Sequence, residues 1–124
     1  MHRRHAIQLA ATALAAPLME AHAQATPFPA KPIKLVIAFP AGGPTDITMR
    51  ALADAAGKIL GQPVVVENKP GAGGTMPAQQ LQTAPADGYT VAQIPLGVFR
   101  LPYTTKINWD PVKDISYVLN VTGY

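Results

Sequence analysis

The sequence predicts an α/β protein in which βαβ units build a mainly parallel sheet. Lys34 to Phe39 (KLVIAF) is continuously apolar rather than alternating, the pattern of a strand buried on both faces. A glycine-containing turn and a stretch of helical periodicity follow it, and Val64 to Glu67 (VVVE) then reads as a second, β-branched strand. Strand, helix and strand joined by short loops form a right-handed βαβ unit, so the two strands run parallel.

The chain of 124 residues opens on a segment that reads as an address. Across residues 1–25, His2, Arg3, Arg4 and His5 make a basic start and Ala6 to Met19 an apolar stretch rich in Ala and Leu. Ala21-His22-Ala23 then offers a small-x-small cleavage site. The apolar run is shorter than the roughly 20 residues a spanning helix needs, which favours a cleavable secretory signal over an anchor. The general secretory route is expected, because a bare Arg3-Arg4 pair is weak ground for twin-arginine export. Cleavage after Ala23 would leave 101 residues with eight basic and six acidic side chains, and all three histidines would be gone.

Residues 26–124 are expected to hold the fold. Thr26 to Pro32 is an extended, Pro-rich lead-in to the first strand, which Pro40 closes. Ala41 to Thr45 makes a tight loop, and a helix is predicted from about Ile47 to Leu60, capped by Asp46 or Thr45. Ile47, Ala51, Leu52, Ala55 and Ile59 form one apolar stripe, the kind of face a surface helix turns to the core. Asp46, Arg50, Asp54 and Lys58 alternate in sign on a neighbouring stripe and support the helix through i,i+4 pairs. Gly61 and Pro63 stop it.

After the second strand, Asn68 to Gly74 is another glycine-rich loop, Thr75 to Thr83 a short helix, and Pro85 to Gly88 a turn. Tyr89 to Ile94 reads as a third strand, Leu101 to Pro111 as a loop holding Trp109, and Ile115 to Val121 as a further strand.

Composition removes several function classes. With no Cys there are no disulfides, thiolate metal sites or Cys nucleophiles, and a chain shorn of its signal has no His either. General-base, nucleophilic and transition-metal chemistry thereby lose their usual side chains, so an enzyme is not expected. No cofactor or metal is expected. The basic residues are scattered singly beyond Arg3-Arg4, so no nucleic-acid footprint forms. Gly57-Lys58 fails as a phosphate loop because Leu52 stands where a glycine is needed and Ile59 where Ser or Thr is needed. Gly71-Ala72-Gly73 fails as a dinucleotide fingerprint because residue 76 is Met.

The segment Phe39 to Asp46 (FPAGGPTD) carries the sharpest chemistry. It sets two glycines where a buried strand turns into a helix N-terminus. Glycine lets a ligand approach the backbone, and the first helical N–H groups carry partial positive charge, so the turn suits a carboxylate or phosphate. An ordinary turn with an Asp cap has the same spacing, and spacing alone leaves both readings open.

The order of the motifs is more specific than any one of them. FPAGGPTDITMRALAD, GQPVVVENKPGAGG, PADGYT and WDPVKD in sequence resemble the extracytoplasmic solute receptors of tripartite tricarboxylate transporters, the Bug receptors. The resemblance runs from Lys31 to about Gly123. It implies the type II periplasmic-binding-protein fold, two α/β lobes that close on a ligand like a flytrap. Residues 26–124 would then be the N-terminal part of the first lobe, with the second lobe absent.

The resemblance further implies a monomeric periplasmic receptor that captures a small carboxylate and passes it to an inner-membrane permease. Its ligand loop corresponds here to Ala41, Gly42, Gly43, Pro44, Thr45 and Asp46, with Gly73 and Gly74 of the second loop at the same cleft edge. The segment IPLGVFRLPYTTKINWDPVKD departs from the family pattern, in which a more polar, Asn- or His-containing stretch shapes the cleft. The competing readings are a non-functional remnant of such a receptor and a secreted enzyme using Asp46 as a base.

Overall fold

A computed structural model describes residues 27–121. The expected signal segment lies outside them. Three parallel strands form one sheet in the order β2-β1-β3, with β1 at Ile33–Ile37, β2 at Val64–Asn68 and β3 at Thr90–Ala92. Helix α1 (Pro44–Leu60) joins β1 to β2, and the short helix α2 (Met76–Leu81) lies between β2 and β3. The α/β class, the parallel sheet and the first three strands therefore agree with the sequence reading.

Register follows from the apolar run. Ile33, Leu35 and Ile37 pair with Val64, Val66 and Asn68, so these residues share one face of the sheet, and α1 packs on it. Lys34 and Val36 share the other face with Val65 and Glu67, and α2 packs beside β3. Backbone bonds extend both ladders past the strands: Lys69 N–H donates to Ile37 C=O at 2.8 Å and Gln93 N–H to Val36 C=O at 2.8 Å. Val36, Ile37, Ala38, Met49, Ala53, Ala78 and Val98 are the buried centre. Cover on the second face is partial, since Val65 stays exposed and Glu67 instead bridges Lys34 at 3.1 Å and Lys69 at 3.0 Å.

Helix α1 differs from expectation at its start and in its buried face. It begins at Pro44 with Gly43 as the N-cap and no side-chain cap, so neither Asp46 nor Thr45 caps it. Proline at the first turn costs nothing there, because its missing N–H has no intrahelical acceptor. The face on the sheet is Asp46, Met49 and Ala53. The stripe of Ile47, Ala51, Leu52, Ala55 and Ile59 is instead exposed. The smaller apolar face, Met49 with Ala53, packs on the sheet, and tertiary packing overrides the larger apolar signal. The C-terminus follows the sequence: Gly61 takes the left-handed conformation (φ 69°) and its N–H reaches Gly57 C=O at 3.0 Å.

The last third departs from expectation twice. Residues 96–104, read in part as loop, form a 3₁₀ turn at Leu96–Arg100 that runs into a short helix α3 (Leu101–Thr104). Residues 115–121, read as a strand, pair with nothing among the described residues, and Tyr117, Val118 and Leu119 are exposed. A β-branched run needs a neighbouring strand to become one, and the described sheet ends at β2 and β3.

Candidate functional site

All three strands deliver their carboxyl ends to one edge of the sheet, the place where open α/β sheets bind ligands. β1 leads into Ala41-Gly42-Gly43, β2 into the loop around Gly73 and Gly74, and β3 into Pro95-Leu96-Gly97. Gly42 holds φ at 81°, a conformation that favours glycine. Gly43 does not need to be glycine for the fold. Its φ is −77°, and a Cβ there would meet only Pro40 C=O, at 3.5 Å.

The first-turn N–H groups of Thr45 and Asp46 precede the first intrahelical bond, which Ile47 N–H makes to Gly43 C=O at 3.0 Å. With the N–H of Gly43 they surround a helix N-terminus of partial positive charge.

Asp46 holds this loop in shape. It is only 3% exposed, and both its oxygens have partners. Gly42 N–H donates to Oδ2 at 2.9 Å, Arg50 Nε to Oδ2 at 3.0 Å, and Asn68 Nδ2 to Oδ1 at 2.8 Å. Asn68 Nδ2 also reaches Phe39 C=O at 3.0 Å, and its Oδ1 accepts from Arg50 at 2.9 Å. The network ties the β1–α1 loop to the last residue of β2. Arg50 chiefly, with Gly42 N–H and Asn68, holds the Asp46 carboxyl well below the usual carboxylate range, and Asp46 in turn raises Arg50. Their charges offset each other.

This arrangement makes stability depend on pH. A carboxyl depressed in the folded state stabilises fully above its unfolded pKa of about 4, and that contribution is lost as pH falls through the folded value. Glu67 is lowered too, by Lys69 and then Lys34. The melting-temperature gap between wild type and Asp46→Asn is therefore expected to narrow between about pH 5 and pH 2. Calorimetry across that range measures it, and a gap that stays constant contradicts the carboxylate's role.

The second loop abuts the same edge. Gly74 (φ 85°) lies where a Cβ would stand 3.1 Å from Pro95 Cγ and 3.6 Å from Ala38 Cβ, between the ends of β1 and β3. A Cβ on Gly97 would lie 3.6 Å from Gly73 C=O. Both glycine loops thus flank the carboxyl edge. Arg50 and Asn68 join the loop only through the fold. The sign alternation Asp46–Arg50 hinted at the first, and only the strand register reveals the second. No group of three His, Cys, Asp or Glu residues able to hold a metal occurs among the described residues. A cleft of about 460 Å³ lined by Phe99, Tyr103, Lys106 and Trp109 shares no residue with either glycine loop.

Residues 48–124 match the family described as tripartite tricarboxylate transporter family receptor. The match begins inside α1, after the loop. Relatives extend the similarity across it. A protein from the gbd 5′ region of Cupriavidus necator is 60% identical over 129 residues, covering 100% of this chain and 39% of that protein. Protein BugT of Bordetella pertussis is 42% identical over 85 residues, or 68% of this chain and 24% of BugT. Among solved structures, MatC from Rhodopseudomonas palustris with bound malate superposes with a TM-score of 0.63 at 37% identity, covering 70% of this chain and 30% of MatC. The chain thus spans well under half the length of the relatives it matches.

Proposed function

The chain belongs to the tripartite tricarboxylate transporter receptor family, and we propose that it serves as the carboxylate-capturing part of a periplasmic receptor. Ala41, Gly42, Gly43, Pro44, Thr45 and Asp46 form the anion loop, and Gly73 and Gly74 border it. The observation that supports this most is the occupied Asp46 carboxylate. With that charge matched by Arg50, the helix end attracts a ligand carboxylate through oriented N–H dipoles.

Capture needs no bond-making. N–H groups and bridging waters hold the carboxylate, and closure of a second lobe, present in a full-length receptor, would seal it. The bound malate in MatC fits a small dicarboxylate as ligand class. Delivery to an inner-membrane permease, with the segment of residues 1–25 as export signal, completes the proposed role.

Gly43→Val separates binding from folding. Residue 43 sits at an ordinary φ, and a Cβ there would meet only Pro40 C=O, at 3.5 Å, so a side chain is admitted at the modest cost of a poorer helix N-cap while it fills the loop mouth. Calorimetric titration with malate is expected to show affinity reduced at least about tenfold, with the melting temperature lowered by no more than about 8 °C, the cost of a poorer N-cap. Wild-type affinity in the folded variant overturns the loop assignment.

A further inference from the structure

We propose that Gln93 selects the ligand: its side-chain amide nitrogen donates to the second carboxylate of a small dicarboxylate whose first carboxylate lies on the α1 loop. The proposal rests on the loop reading above and adds to it a residue from the exit of β3.

Gln93 stands where the ladder between β1 and β3 runs out. Val36 pairs with Ala92, and Gln93 N–H donates to Val36 C=O at 2.8 Å. The next rung of a parallel ladder would join Ala38 N–H to Gln93 C=O. The side chain takes that rung instead, and Gln93 Oε1 accepts from Ala38 N–H at 3.3 Å. Only the oxygen of an amide can accept from a backbone N–H, so this bond fixes which end of the amide is which. The oxygen is spent on the sheet. The nitrogen keeps two donors, and neither has an acceptor among the described residues.

Asn68 shows what a structural amide does at the same level of the sheet. It pairs with Ile37 on the other side of β1. Its Nδ2 donates to Phe39 C=O and to Asp46, and its Oδ1 accepts from Arg50, so the fold uses both ends of it. The fold uses one end of Gln93. That residue is half-buried among the loops of the carboxyl edge. Its partner Ala38 and its near neighbour Pro95 are the two residues that a Cβ on Gly74 would meet, at 3.6 Å and 3.1 Å. Asp46 does not compete for the free donors, because Gly42, Arg50 and Asn68 already occupy its oxygens. A ligand held by one carboxylate on the α1 loop and reaching along this edge toward β3 meets those donors with its far end. A charged oxygen there gains the most from them.

Spectra of the ¹⁵N-labelled chain test this with malate and 2-hydroxybutyrate, which keeps the first carboxylate and the hydroxyl but ends in a methyl group. The Gln93 side-chain signals are assigned by their absence in Gln93→Met. Malate is expected to shift them over the same concentrations that shift the amides of Gly42, Gly43, Thr45 and Asp46. The monocarboxylate is expected to shift the loop amides alone, with affinity at least about tenfold weaker. If malate moves the loop amides and leaves the Gln93 side chain unmoved, this inference is overturned and the loop stands. If malate moves none of the loop amides, the loop reading fails and this inference falls with it. Gln93→Met adds no charge, and it is expected to bring malate affinity within about threefold of the monocarboxylate's, which stays as in wild type. Equal losses for both ligands would make Gln93 a support of the loop alone and overturn its selecting role.

Discussion

Asn68→Ala is expected to lower the melting temperature by roughly 10 °C and to weaken malate binding at least about tenfold. Asn68 is the last residue of β2, and its amide makes three contacts: to Asp46 at 2.8 Å, to Phe39 C=O at 3.0 Å and from Arg50 at 2.9 Å. Alanine leaves a nearly buried carboxylate oxygen and a carbonyl without their partner. An unsatisfied group of this kind costs about 1–3 kcal/mol, and each kcal/mol shifts the midpoint of a domain this small by about 4–8 °C. The binding loss has a separate origin, since the same amide fixes the β1–α1 loop against the sheet. Asn68→Asp sharpens the test by setting a second carboxylate against Asp46, and it is expected to destabilise more than alanine does. Thermal denaturation and titration calorimetry on the same samples check both effects.

Gly74→Val is the second large effect, a loss of about 3 kcal/mol by chemical denaturation. Residue 74 sits at φ 85°, where an L side chain is strained, and its Cβ would approach Pro95 Cγ to 3.1 Å. Two costs therefore add. Gly73→Ala isolates the first of them. That residue is also left-handed, at φ 64°, but a Cβ there meets nothing within 4 Å, so the expected loss is about 1 kcal/mol. A Gly74→Val variant no less stable than Gly73→Ala would mean that the second loop does not pack against the ends of β1 and β3.

Strand positions were legible because continuous apolar runs are local signals. KLVIAF and VVVE carry their own evidence of burial, and Gly61 with Pro63 marks a helix end by backbone chemistry alone. The buried face of α1 was not legible. Its larger apolar stripe, Ile47 to Ile59, points away from the sheet, and the chosen face is the small one around Met49 and Ala53. Periodicity shows that a helix has an apolar face and cannot say which neighbour claims it. The run at 115–121 failed for a related reason, since strand propensity is realised only beside another strand.

The candidate loop showed the same division. Glycines and a helix start are written in FPAGGPTD, whereas the part played by Asn68 depends on register across 22 residues of sequence separation from Asp46. Asp46 itself was read as a cap or a ligand-loop residue. In the fold it sits at the third helical position, reaching back to Gly42 N–H and across to Asn68, and that link shapes the turn.

The proposed role rests on backbone N–H groups at the start of α1 receiving a carboxylate. Nuclear magnetic resonance of the ¹⁵N-labelled chain, titrated with malate, tests it amide by amide and reads weak binding as well as strong. Saturable shifts centred on Gly42, Gly43, Thr45 and Asp46, with smaller ones at Gly73 and Gly74, are the result expected. Shifts confined to lysine-bearing surfaces such as Lys106 and Lys113, with the amides of Gly42, Gly43, Thr45 and Asp46 unmoved, would contradict it.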